Sequence, residues 1–128
     1  MNNKNCIKDF ISIIVAVKNE EKYIEECLQS LIDQDFPHEF YQIVVVDGMS
    51  DDHTIHIINK LMEKYPKLIK FYSNPKEWQA VGRNIAIKNE KKSNLIAYID
   101  GHCIADRKWL KSLYNCLQSL NHANVAGV

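Results

Sequence analysis

The sequence has no net charge, no CxxC pair, no glycine-rich phosphate loop and no long apolar run, and each absence removes a class of function. Sixteen Lys and Arg balance sixteen Asp and Glu. No global field therefore draws the chain toward nucleic acid or an anionic membrane, and any anion site must be local. The four cysteines, Cys6, Cys27, Cys103 and Cys116, lack metal-ribbon spacing, and the N-terminus does not resemble a signal peptide. They read as reduced thiols of a cytoplasmic protein rather than as disulfide partners. No stretch reaches the roughly 18 to 20 apolar residues that span a bilayer. Glycine occurs only four times. Neither the spaced glycines of a dinucleotide fingerprint nor a P-loop ending in Lys and Ser or Thr is present. Internal repeats and low-complexity tracts are also missing.

What is present is a regular alternation. A chain of 128 residues fits one domain and can bury roughly two thirds of the surface its unfolded form exposes. "ISIIVAV" (11–17) is a continuous β-branched run, the pattern of a strand covered on both faces. "KNEEKYIEECLQSLIDQ" then changes period. Tyr23, Ile24, Cys27, Leu28, Leu31 and Ile32 fall on one helical stripe, with Asn19 as its expected cap and Glu20 and Glu21 at its positive end. "QIVVV" (42–46) is a second strand, and a helix with the stripe Ile57, Ile58, Leu61, Met62 and Tyr65 follows and stops at Pro66. "LIKFY" (68–72) and "LIAYI" (95–99) read as strands, "WQAVGRNIAIKN" (78–89) as a helix weakened by Gly82. A last helix, 106–120, is expected to pack through Trp109, Leu110, Leu113, Leu117 and Leu120, and "NVAGV", ending at Val128, reads as a fifth strand beginning. Four strand–helix pairs predict an α/β fold, a mostly parallel sheet flanked by helices.

In such sheets ligands sit at the carboxyl ends of the strands. The polar residues there are Lys18, Asn19 and Glu20; Asp47, Gly48 and Ser50; Ser73 and Asn74; and Asp100 to His102. Two strands end in an aspartate. Aspartate also favours turns and caps for purely structural reasons. Asp100 and His102 are both competent ligands for a divalent cation.

The blocks "ISIIVAVKNEEKYIEECLQSLIDQDF", "IVVVDGMSDDHT", "AVGRNIAI" and "IAYIDGHC", in this order, resemble the N-terminal half of family 2 glycosyltransferases, the inverting nucleotide-sugar enzymes of GT-A fold. The "DGMS" and "DGH" variants are similar to those of bacterial enzymes that build succinoglycan-like exopolysaccharides. The resemblance implies a Rossmann-like nucleotide-binding half in which Ala16, Val17, Asn19, Glu20, Asp47, Arg83 and Asp100 hold the nucleotide. It further implies that Asp100, Gly101 and His102 stand where the family carries its DxD motif, with Asp100 and His102 holding Mn²⁺ or Mg²⁺. Gly48 replaces a frequent second acid and His102 the second acid of DxD, and imidazole, the softer ligand, favours Mn²⁺. A surface ion pair is the structural alternative for Arg83, and packing that for Trp78. Asp51 and Asp52 read as helix N-terminal acids, and His38, His53, His56 and His122 as solvated or capping.

Residues 1–10 are expected to form a flexible arm and residues 11–128 the nucleotide-sugar-binding portion of a truncated GT-A domain. The implied reaction moves a sugar, from UDP by the family's habit, to a hydroxyl of a glycan or lipid-linked glycan. Inversion needs a general base, which the family carries in its C-terminal half and which is therefore expected beyond Val128. The acceptor half and any membrane contact are expected there too, so 1–128 alone is expected to bind donor and transfer little. A sheet cut at this point would leave an edge that a homodimer covers, and the full-length protein is expected at the inner face of the membrane. A non-enzymatic doubly wound signalling or interaction module would explain the alternation without requiring Arg83 or His102. A sugar nucleotidyltransferase would be expected to show a glycine-rich loop where "VAVKNEE" stands.

Overall fold

The computed structural model describes residues 9–76, 79–89 and 93–122. Strand β1 (Ile11–Val17) leads to helix α1 (Ile24–Ile32), and a short 3₁₀ turn at His38–Phe40 precedes β2 (Tyr41–Asp47). Then follow α2 (Thr54–Lys64), β3 (Ile69–Ser73), α3 (Gln79–Asn89), β4 (Leu95–Asp100) and α4 (Trp109–His122). The strands form one sheet in the order β3-β2-β1-β4, and every pairing is parallel.

The continuous apolar strands predicted from the sequence are buried on both faces: all seven residues of β1 and all seven of β2 are buried. One face carries Ile11, Ile13, Val15 and Val17 against Ile24, Leu28 and Leu31 of α1, Ile58 and Leu61 of α2, and Leu110 and Tyr114 of α4. The other carries Ile14, Val44 and Val46 against Ala86 of α3. Right-handed crossovers explain this division. The chain steps outward from β1 to β2 to β3, placing α1 and α2 on one face, then jumps back past β1 to β4, which sends α3 to the other. The strand order reverses between β1 and β4.

The chain between β4 and α4 is fastened to α1. Buried Gln34 donates from Nε2 to the carbonyls of Ser30 (3.0 Å) and Asp106 (2.7 Å), and its Oε1 accepts the amide of Leu110 at 2.8 Å. Ser30 Oγ accepts the amide of Ala105 at 3.0 Å. Neutral hydrogen bonds through Gln34 and Ser30 therefore fasten the far end of the β4 loop.

Several local expectations change. Asn19 does not cap α1, which begins at Ile24. Asn19 adopts φ 51°, and the amides of Tyr23 and Ile24 are instead taken up by the carbonyl of Glu20. The expected loose arm does not include Asp9 and Phe10. Asp9 accepts from Asn94 Nδ2 (2.6 Å) and the Tyr114 hydroxyl (2.9 Å), while the amide of Phe10 donates to Asn94 Oδ1. Leu113 and Leu117 do not pack into the core. They are 39% and 37% exposed and line a groove of about 400 Å³ with Leu95, Tyr98 and Trp109 beside the edge strand β4. Among the described residues no helix is long and apolar enough to cross a membrane. Trp78 and the fifth strand expected to begin at Asn124 and run to Val128 lie outside the described residues.

Candidate functional site

A sheet whose order reverses opens a crevice at the carboxyl ends of the two strands flanking the reversal. Here those strands are β1 and β4, and the loops that follow them carry Lys18, Asn19 and Glu20 on one side and Gly101, His102 and Cys103 on the other. Register fixes the heights. Val17 pairs with Asp47 and Ala16 with Asp100, so both aspartates lie on the same rim with β1 between them. Side chains alternate between faces along a strand. Asp47 therefore shares the face of Val17, and Asp100 the opposite face with Ala16.

Asp47 is fully buried. Its carboxylate accepts the Ser50 amide at 2.9 Å and the Ser50 hydroxyl at 2.5 Å. Ser50 Oγ in turn accepts the amide of Asn19 at 2.8 Å, and Asn19 Oδ1 accepts the amide of Asp51 at 2.9 Å. Asp47 thereby sets the shape of the loop after β1 through Ser50, and a ligand reaching its carboxylate would have to displace that serine. A second tie lies beside it: the Glu20 amide donates to Thr54 Oγ1 at 2.9 Å, and Thr54 donates to Asp52 Oδ1 through its hydroxyl (2.5 Å) and amide (2.9 Å). Desolvation pushes the Asp52 carboxyl up, but these bonds and one from the Glu21 amide together prevail and hold it below the usual carboxylate range. Asn19 and Met49 both take left-handed backbone, φ 51° and 64°. Asparagine tolerates this region, but a methionine there is strained, a cost that tends to concentrate at functional loops.

Across the crevice, Asp100 ends β4, and the amide of Cys103 donates to its carbonyl at 3.0 Å, turning the chain back on itself. Gly101 is buried against β1 so tightly that a Cβ there would stand 2.5 Å from Val17 Cγ1. Glycine is required because the two strand ends touch. His102 Nδ1 lies 2.9 Å from Glu20 Oε2, so this nitrogen carries the proton and donates it to the carboxylate. The pair is partly exposed, 56% and 21%, and such pairs add little stability. What it does fix is the imidazole's orientation, leaving the Nε2 lone pair available, the arrangement by which carboxylates prepare histidines for metals. Asp100, His102 and Cys103 each offer one ligand atom, all within 4.8 Å of one another. The donor set of oxygen, nitrogen and sulfur fits a divalent cation. Cys27 lies beneath, fully buried, its thiol 3.6 Å from the Asp100 carbonyl. Burial first, then the neighbouring Cys103, Glu20 and Asp100, push that thiol up to about 12.

Of the residues singled out in the sequence, Asn19, Glu20, Asp100 and His102 converge on the crevice. Ala16 and Val17 supply strand backbone at its floor, where Val17 carbonyl accepts the Gly48 amide at 2.8 Å. Asp47 sits beneath the adjoining loop. Arg83 belongs to α3, and its side chain lies outside the described residues. The general base expected beyond Val128 also falls outside them, and the acids of the crevice are engaged otherwise: Glu20 holds His102 and Asp47 holds Ser50. Sequence reading missed Ser50 and Thr54 as the ties between the loops, Glu20 as the partner of His102, and Cys103. The signal for Cys103 was its place immediately after His102. Two other histidines are peripheral: His38 Nε2 lies 2.8 Å from the Ile32 carbonyl at the end of α1, and His53 lies 3.5 Å from Glu21.

Comparison with known proteins agrees with this architecture. A dolichyl N-acetyl-alpha-D-glucosaminyl phosphate 3-beta-D-2,3-diacetamido-2,3-dideoxy-beta-D-glucuronosyltransferase of Methanococcus voltae is 37% identical over 123 residues, 94% of this chain and 38% of the relative. The poly(ribitol-phosphate) beta-N-acetylglucosaminyltransferase TarS of Staphylococcus aureus is 33% identical over 100 residues, 78% of this chain and 17% of TarS. A crystal structure of TarS in complex with UDP superimposes with a TM-score of 0.77 at 30% identity, covering 88% of this chain and 33% of that one. A mannosyltransferase of Pyrobaculum calidifontis in complex with GDP-Man and Mn²⁺ also gives 0.77, at 25% identity over 89% of this chain and 33% of that one. The chain thus spans well under half the length of these relatives, the portion that carries the Rossmann-like sheet of the GT-A fold. The family model for glycosyl transferase family 2 matches residues 12–128, and the chain belongs to that family.

Proposed function

We propose that the β1–β4 crevice binds the diphosphate of a nucleotide-sugar, with the nucleoside lying over the loops that follow β1 and β2, and that the full protein transfers the sugar with inversion to a glycan hydroxyl. The observation that carries this reading is the His102–Glu20 contact of 2.9 Å beside Asp100, an oriented imidazole and a carboxylate at the strand reversal. UDP is the proposed carrier, supported by the likeness to TarS bound to UDP.

Each residue's part follows from its geometry. Asp100 and the Nε2 of His102 would hold Mn²⁺ or Mg²⁺, which when bound supplies charge neutralisation for the departing diphosphate, an effect of several kcal/mol. Glu20 orients His102. Asp47, through Ser50, holds the Asn19 backbone in place, so the loop offered to the nucleoside is set before binding rather than ordered by it. Arg83, on α3, is proposed to meet the nucleotide with its guanidinium. The general base that takes the acceptor's proton is proposed to come from beyond Val128. The cytoplasmic side of a membrane, where activated sugars are spent on lipid-linked glycans, is the proposed setting, and the apolar groove beside β4 the surface a second copy would cover.

Calorimetric titration of the chain with UDP, with and without Mn²⁺, tests this reading. Binding should strengthen with Mn²⁺, and His102→Ala should remove that gain while leaving the metal-free affinity within about twofold. A chain that binds no UDP, or binds it with the same affinity whatever the metal and the residue at 102, overturns the proposal.

A further inference from the structure

The same loop holds a donor that the family resemblance did not supply. We propose that Cys103 completes an oxygen–nitrogen–sulfur site with Asp100 and His102, and that this site takes Zn²⁺ or Co²⁺ ahead of Mn²⁺ and Mg²⁺. The functional meaning of this choice rests on the donor-binding reading; the site itself does not.

Three observations carry it. The three ligand atoms lie within 4.8 Å of one another, close enough to share one ion without rebuilding the loop. The bond of 3.0 Å from the Cys103 amide to the Asp100 carbonyl closes a turn that returns the cysteine to the aspartate's end of the crevice. Glu20, on Nδ1 at 2.9 Å, leaves His102 only Nε2 with which to ligate. Hard ions with near-octahedral demands prefer all-oxygen shells, whereas thiolate and imidazole favour borderline-soft ions such as Zn²⁺. Three protein donors also leave the open position typical of zinc sites that accept a further ligand. Cys27 is no rival donor, being fully buried with its thiol on the Asp100 carbonyl.

The test uses the full chain with Cys6 and Cys116 replaced by serine, so that no other accessible thiol reports. Titrated with Co²⁺ in the absence of nucleotide, it should develop the near-ultraviolet charge-transfer band of a cobalt–thiolate bond. Cys103→Ser should abolish the band and weaken Zn²⁺ by about tenfold or more, with a much smaller change for Mn²⁺. Should Cys103→Ser fail to fold, alkylation replaces it: Zn²⁺ should shield Cys103 from iodoacetamide where Mg²⁺ does not. Absence of the band, unchanged Zn²⁺ affinity in Cys103→Ser, or no shielding overturns the proposal. UDP titration of the unsubstituted chain separates the two readings. UDP binding without a sulfur band sinks only this inference, and a sulfur band without UDP binding sinks only the donor reading.

Discussion

Replacing Gly101 by alanine probes the contact on which the crevice is built. The added Cβ would lie 2.5 Å from Val17 Cγ1 and 3.4 Å from Val17 Cβ, where ordinary carbon contacts fall near 3.5 to 4 Å. Val17 cannot swing away easily, since it is branched at Cβ, is 4% exposed and ends a strand paired on both sides. Something must move by about an ångström. Overpacking of this kind costs roughly 1–3 kcal/mol, which for a domain of this size lowers the melting temperature by roughly 3–15 °C. The displaced turn carries Asp100 and His102, so the Mn²⁺-dependent gain in UDP affinity should fall as well. Thermal melts of Gly101→Ala, Val17→Ala and the double variant form a cycle. Removing the Val17 methyls opens the space the new Cβ needs, so the double variant should be more stable than the sum of the singles predicts by about 1 kcal/mol or more. Strict additivity, or a Gly101→Ala protein that melts with the wild type, would refute the close approach of β1 and β4.

Two further outcomes follow from particular bonds. Buried Tyr41 donates its hydroxyl to the carbonyls of Leu31 (2.7 Å) and Ile32 (3.2 Å) at the end of α1, and burial pushes its phenol well above the usual range; Tyr41→Phe should lower stability by about 1–2 kcal/mol in urea unfolding. Asp52, held low, is stabilising when ionised. Its contribution should be complete above the unfolded carboxylate value of about 3.9 and fade as pH falls through its lower folded value. The difference in urea midpoint between wild type and Asp52→Asn should therefore be steady near neutrality and shrink in acid.

Sequence carried the fold well because its signals are local and periodic. "ISIIVAV" and "QIVVV" have no polar face to offer solvent, which leaves a central position in a parallel sheet, and both strands are buried throughout. Ends and edges were less legible. Asn19 looks like a cap by residue type, yet an asparagine also accepts left-handed backbone, and the pull of Asp51 and Ser50 on the neighbouring strand's loop decided its role. Leu113 and Leu117 repeat at helical spacing, but periodicity says which face is apolar and not whether something covers it. At the site, Asp100 and His102 were visible as residue types at a strand end. The Glu20–His102 contact spans 82 positions and arises only from β1 lying beside β4. Asp47 shows the same limit in reverse: a strand-terminal acid on the expected rim, whose alternation turns it inward to Ser50.

The central claim is that a nucleotide diphosphate and its metal occupy the crevice between β1 and β4. Amide NMR spectra of the labelled chain with UDP, recorded with and without Mn²⁺, test it most directly through the ion's paramagnetic broadening. Asn19, Glu20, Gly101 and His102 should broaden first, Ser50 should shift with UDP, and Ile57 of α2 and Leu117 of α4 should stay sharp. Broadening centred on α2 or on the β4–α4 groove, with the residues of the crevice unmoved, would contradict it.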